Sequence, residues 1–201
     1  MIRPAATLFC LLLCFNPLDL FAQTNDGAIP PIEKRAFETI RIAVGPAASL
    51  HAVHLDSWTA DYGGAVKAST PFYFGEIELG MSILPWKSND PVLPDFMSAL
   101  IFGGWFVSTA PEKVLKASAG VRMGNYFMAF DSPQVSGERN ESEFAISSFL
   151  GIRSTFWRGL EGFAEINAVR VLTTPRLDMV SVSTGVSITF DTPDWLEGIL
   201  K

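Results

Sequence analysis

Between Phe37 and Phe190 the chain repeatedly places an apolar residue at every second position, in segments of roughly ten residues or more. In "VSVSTGVSITF" (180–190), Val180, Val182, Val186, Ile188 and Phe190 share one parity; Ser181, Ser183, Gly185, Ser187 and Thr189 share the other. In "FETIRIAVGPAASL" (37–50), Ile40, Ile42 and Val44 oppose Arg41, Ala43 and Gly45. "FYFGEIELGMSIL" (72–84) sets Ile77, Leu79, Met81 and Ile83 against Glu76, Glu78, Gly80 and Ser82. In "VLKASAGVRMGNYFM" (114–128), Leu115, Ala117, Ala119, Val121 and Met123 face away from Lys116, Ser118, Gly120, Arg122 and Gly124. "FAISSFLGIRSTF" (144–156) opposes Phe144, Ile146, Leu150, Ile152 and Phe156 to Ala145, Ser147, Gly151, Arg153 and Thr155. Two segments read less cleanly. "FMSALIFGGWFV" (96–107) is apolar on both parities, which leaves its phase open. In "LEGFAEINAVRVLTT" (160–174), Ala164, Ile166, Ala168 and Leu172 oppose Glu165 and Asn167, but Arg170 falls on the apolar side. A bulge or a strand end there would account for it.

Period-two alternation over such lengths, punctuated by Gly-, Pro- and Asn-rich turns, predicts antiparallel strands rather than helices. "SNDP", "APEK" and "TTPR" mark short turns, whereas 49–69 and 131–143 read as long connections. The end of the chain, "DTPDWLEGILK" (191–201), predicts a helical turn or two, with Asp191 or Thr192 as cap and Pro193 in the first turn.

A half-apolar strand suits either a soluble barrel or sandwich, apolar side inward, or a membrane barrel, apolar side outward. The polar parity separates the two. Here it is mostly Gly, Ala and Ser with few charges, whereas a solvated surface carries many long charged side chains. Small residues suit a narrow lumen, where side chains must interdigitate. Its charges are Arg41, Lys116, Arg122 and Arg153 against Glu76, Glu78 and Glu165, close to neutral, as an enclosed set must be. These seven form the predicted lumen charge network.

The opening "MIRPAATLFCLLLCFNPLDLFAQ" has an early Arg3, an apolar stretch from Ala5 to Phe15 and a small residue, Ala22, before Gln23. That layout predicts a secretory signal peptide over 1–22; its apolar core is well short of the ~20 residues a spanning helix needs. A polar, proline-containing leader over 23–36 follows. Both cysteines, Cys10 and Cys14, lie in the predicted signal, so the remainder has no disulfide or thiolate metal site. The net charge of −6 argues against nucleic acid as a partner. Beyond residue 22 no apolar run approaches the length of a transmembrane helix.

Aromatic residues gather at or near segment ends: Phe72, Tyr73, Trp86, Trp105, Tyr126, Phe127, Phe156, Trp157 and Phe190. Trp and Tyr favour the boundary between lipid and headgroup. A closing strand of alternating apolar residues that ends on Phe190 resembles the last strand of Gram-negative outer-membrane β-barrels. Together with the predicted signal peptide and the alternating segments, the chain over about 37–190 resembles a small barrel of the OmpA/OmpX type. The resemblance implies an all-β fold, an antiparallel up-and-down transmembrane β-barrel of about eight strands, in contact with outer-membrane lipid. It also implies that Val182, Val186, Ile188 and Phe190 form the signal read by the barrel-assembly machinery, although the chain continues to residue 201. Seven segments are evident and barrels of this kind have an even number of strands, so an eighth is expected within 50–69 or within the block starting at Phe96.

The candidate chemistry is sparse. Both histidines lie in "SLHAVHLDSWTADY" (49–62), where His51, His54, Asp56, Ser57 and Asp61 could supply a general base and nucleophile. His51, His54 and Asp56 could also meet a divalent metal, but a pair in a loop without a third fixed ligand is a weak site. No phosphate-loop spacing occurs, and no cofactor or metal is expected. The reading favoured by the pattern is a non-enzymatic outer-membrane barrel, structural or binding through its loops, with an unspecified loop ligand. Two alternatives stay open: a soluble secreted β-barrel binding an apolar ligand, and a lipid-modifying outer-membrane enzyme using His51 and His54.

Overall fold

The computed structural model describes residues 36–109, 114–131, 141–157, 159–173, 177–193 and 195. The predicted signal peptide (1–22), the leader as far as residue 35 and seven of the eleven residues of the predicted helical tail (191–201) lie outside these residues. Among the described residues nine strands are formed: β1 (Thr39–Val53), β2 (Trp58–Ala60), β3 (Gly63–Phe72), β4 (Gly75–Ser88), β5 (Phe96–Ser108), β6 (Leu115–Phe130), β7 (Glu141–Trp157), β8 (Leu160–Val171) and β9 (Leu177–Asp191). All pairings are antiparallel, and β1 meets β9 to close a cylinder of eight strands, β1 and β3 to β9. Closure leaves none of these eight as a free edge. The short β2 stands outside the cylinder, paired to the end of β4 through Trp58↔Ser88 and Ala60↔Trp86.

The eighth strand is β3, in the first of the two regions where it was expected. Its sequence "GGAVKASTPF" hides the alternation, because small residues stand on both faces. Ala65, Lys67 and Ser69 point inward and Val66 and Ala68 outward. The phase of β5 also becomes definite: Phe96, Ser98, Leu100, Phe102 and Phe106 are buried, while Met97 and Ile101 are exposed. Arg170 is explained by a strand end. It stands one residue from the end of β8, on the outer face, and its Nε donates to Asp178 on β9 at 2.7 Å.

Two glycines on the β1–β9 seam are required by close approach. A Cβ on Gly45 would lie 1.8 Å from the Thr184 carbonyl oxygen, and one on Gly185 would lie 2.2 Å from that of Val44. Strands that coil this tightly around a narrow barrel leave no room there for a side chain. Gly159, in the β7–β8 turn, has φ +74, a conformation open to glycine at little cost.

The inside and outside are inverted relative to a soluble protein. On β9, Ser183 and Ser187 are 5% and 2% exposed, whereas Val186 and Ile188 are about half exposed. The same inversion runs round the barrel through Val44, Leu79, Val121, Met123, Leu150 and Ile152, all exposed. An outer surface of this kind is stable only against hydrocarbon. Down β8 the outward residues from Leu160 to the Arg170–Asp178 pair carry no charge, a height of about 25 Å at the usual rise and tilt. At the end carrying the short turns, Tyr73, Phe74, Phe156 and Trp157 are exposed and Trp105 packs edge-on against Phe74, forming one aromatic girdle. Trp86 and Tyr126, expected in a girdle, instead face inward and are almost fully buried, because each falls on the inward parity of its strand.

Candidate functional site

The interior has two halves. Towards the long loops it is an apolar plug of Leu84, Trp86, Phe96, Leu100, Tyr126, Met128, Val169, Val171, Leu177 and Met179. Trp86 stacks on Phe96 with ring centroids 5.6 Å apart, and its Nε1 donates to Ser98 Oγ at 2.9 Å. From above, Trp58 of β2 meets Phe96 edge-on at 5.6 Å and donates to the Pro94 carbonyl, which draws the first loop across the mouth. In this half small residues, Ala47, Ala65 and Ala145, share the interior with these large apolar side chains, so the expected lumen of small and charged residues describes the other half more closely. The difference arises from the phase of β5, which turns Phe96, Leu100 and Phe102 inward.

Towards the short-turn end the interior is ionic. Arg122, on β6, donates from Nε to Glu78 Oε1 (2.7 Å) and from Nη2 to Glu165 Oε2 (2.9 Å), and its Nη1 reaches Asn167. Its guanidinium lies 3.7 Å from the Phe149 ring centroid and 4.8 Å from that of Phe102. Aromatic faces thus cover what carboxylates do not. Lys67 donates to Glu165 Oε1 at 2.7 Å and sits 4.2 Å from the Phe163 ring. One turn-end layer below, Arg41 pairs with Glu76 and lies 3.3 Å from Glu161; Lys116 holds Glu161 at 2.6 Å; Arg153 reaches Glu76 at 3.3 Å and also Ser108.

All seven residues of the predicted network, Arg41, Glu76, Glu78, Lys116, Arg122, Arg153 and Glu165, point into this half and are joined by ion pairs. Lys67 and Glu161 belong to the same set and were missed. Glu161 had a signal, since it shares the parity of Glu165 and Asn167. Lys67 had none until β3 was recognised. Buried ion pairs of this density repay their desolvation only when nearly every polar atom is satisfied, and they bind the strands to one register.

Among the described residues no side-chain hydrogen bond or ion pair joins His51, His54, Asp56, Ser57 or Asp61 to one another. His51 lies on β1 beyond a bulge, exposed and opposite Val180, and His54 is exposed in a turn with φ +69. Asp61 accepts from Lys87 Nζ at 2.9 Å instead of serving a histidine. That contact, with the Tyr62 amide, holds the Asp61 carboxyl below its ordinary range and raises Lys87 above its own. Among the described residues no group of three or more His, Cys, Asp or Glu is placed to hold a metal ion. Val182, Val186, Ile188 and Phe190 lie on the outer face of β9, with Phe190 paired to Ile40.

This is the geometry of a known fold. Neisserial surface protein A superposes with a TM-score of 0.53 over 76% of this chain and 96% of its own, at 14% identity. Ail, the attachment invasion locus protein of Yersinia pestis, gives 0.55 over 76% and 99%, also at 14% identity. OprG, an outer membrane protein of Pseudomonas aeruginosa, gives 0.54 over 80% and 99%, at 9% identity. The fold is that of the small outer-membrane β-barrels. No protein-family model matches the chain, and no curated protein matches it by sequence. The likeness is thus one of architecture, carried by strand number, closure and the inverted faces.

Proposed function

We propose that this protein is a non-enzymatic barrel of the outer membrane that binds a partner through its long loops. The observation that carries this reading is the inversion along β9 and its neighbours: valines and isoleucines outside, serines and ion pairs inside. The short turns, the start of β1 and the end of β9 lie at one end, which in bacterial barrels faces the periplasm. The long connections, with β2 folded over the mouth, would then face outward. The interior supports a closed plug rather than a pore: two cavities within it measure about 20 and 30 Å3, room for a water molecule or so each.

The charge at the loop end bears on the partner. Among the described residues, Asp56, Asp90, Asp95, Asp131 and Glu141 are exposed there, against Lys87 and the paired Arg170. Such a surface favours a partner that carries positive charge. Ail has been crystallised with the heparin analogue sucrose octasulfate. A polyanion of that kind is not expected to bind here.

Cell fractionation tests the reading. The protein should be recovered from detergent-extracted outer membrane, migrate faster on gels unheated than boiled, and leave planar bilayers non-conducting. Recovery as a soluble periplasmic monomer would reject it, and would restore the soluble ligand-binding barrel as the better account.

A further inference from the structure

The ionic half of the lumen contains a cavity of about 20 Å3, lined by Arg41, Lys67 and Arg153, by Glu78 and Glu165, and by Ser187 among others. Three of these residues carry a buried donor atom without a hydrogen-bond partner: Ser187 Oγ, on a residue 2% exposed, Arg153 Nε, on a residue 6% exposed, and Arg41 Nε, which has only the Glu161 carboxylate 3.3 Å away. A buried donor left without a partner costs about 1–3 kcal/mol, so such atoms mark a missing water or ion. Charge distinguishes the two. The charged residues lining the cavity are Arg41, Lys67 and Arg153 against Glu78 and Glu165, one positive charge in surplus. The carboxylates are already committed: Glu78 to Arg122, and Glu165 to both Lys67 and Arg122. The unsatisfied capacity around the cavity is thus donor capacity, in a poorly hydrated place, beside excess positive charge.

We propose that this cavity binds one small inorganic monovalent anion of the halide class, accepting from Ser187 Oγ and Arg153 Nε. The anion neutralises the surplus and fixes Arg41, Lys67 and Arg153 around it. It is a structural ion, buried with the network, and does not depend on what the loops bind.

Bromide is the probe. Crystals of the refolded full barrel grown with sodium bromide as the only halide should show an anomalous peak within hydrogen-bonding reach of Ser187 and Arg153. Replacing chloride with gluconate at constant ionic strength should lower the temperature at which the fast-migrating folded band is lost. Ser187→Ala leaves the charges in place and should lose this anion dependence, together with the bromine peak. Lys67→Met removes the surplus charge, keeps Glu165 paired through Arg122, and should also lose the peak. Should Lys67→Met fail to fold, Ser187→Ala decides alone. Density without bromine signal, or anion dependence unchanged in Ser187→Ala, would overturn the proposal in favour of a water molecule.

Discussion

Lys67 Nζ stands 2.7 Å from Oε1 of Glu165, a carboxylate whose other oxygen is held by Arg122 at 2.9 Å. Three strands, β3, β6 and β8, are thereby tied through one buried side chain. Glu165→Ala would leave Lys67 without its acid and Arg122 with Glu78 alone. Removing one partner of a buried pair typically costs 3–5 kcal/mol, and a loss of about that size is expected in urea unfolding of the barrel in detergent micelles. A loss below about 1 kcal/mol, the range of exposed pairs, would mean that water reaches this layer.

That cluster also shows what the sequence could and could not disclose. The alternation on β1, β4, β6, β7 and β9 is legible because branched or long apolar residues meet lipid while Ser, Gly and charges face in. On β3 the contrast fades: Gly64 and Ala68 stand outside and Ala65 inside, so the strand and its Lys67 were hidden. On β5 the plug makes both faces apolar, and nothing local says which of Leu100 or Ile101 turns inward. The pairing with β4, Leu100↔Ser82 and Ile101↔Met81, decides it. Register is a long-range property, and its absence from a local reading is what concealed the apolar half of the lumen.

The inverted faces predict opposite outcomes for charges placed on neighbouring residues of one strand. Ser147 is 5% exposed and lies directly across from Arg122. Ser147→Lys sets a second cation against it in a filled lumen, and no folded, fast-migrating band is expected after refolding. Leu150 faces outward near mid-height, where an arginine typically costs about 2–4 kcal/mol in a bilayer. Leu150→Arg should therefore fold, with a deficit of that order. If Ser147→Lys folds as well as the unaltered chain, the serine face is solvated and the barrel is a soluble one.

Closure at the β1–β9 seam depends on the lack of side chains at Gly45 and Gly185. In Gly45→Ala the new methyl would meet a backbone carbonyl at 1.8 Å, and a backbone atom cannot rotate aside. Overpacking of this sort costs about 1–3 kcal/mol. Gly64→Ala on β3 is the control, since its nearest neighbour would be 3.8 Å away. Refolded yield and unfolding midpoint should fall for Gly45→Ala and hold for Gly64→Ala.

The Asp61–Lys87 pair at the mouth gives β2 its pH behaviour. Asp61 is lowered in the folded state, chiefly by its hydrogen bond to Lys87, so its contribution is complete above the unfolded carboxylate range and lost as acid protonates it. Lys87 is raised, so its part is complete below the unfolded lysine range and lost only in strong alkali. Exchange protection of the β2–β4 amides should accordingly stay flat from about pH 5 to 9 and fall below about pH 4, near the carboxylate range. Lys87→Met should remove the acid step while leaving the barrel amides unchanged. Both groups are solvent-exposed, so high salt should flatten the step too.

Phe190 separates folding from assembly. Its ring lies on the outer face of β9, half exposed, opposite Ile40 of β1. Replacing it with alanine removes an interfacial aromatic but breaks no ion pair and opens no cavity inside the barrel. Refolding into micelles should therefore be nearly unaffected. If Val182, Val186, Ile188 and Phe190 are read by an assembly machinery, the same substitution should sharply lower the amount of folded protein in the outer membrane of living cells. It should do so although residues 191–201 still follow the strand. Equal losses in micelles and in cells would assign Phe190 to stability alone, and no loss in either would remove it from both roles.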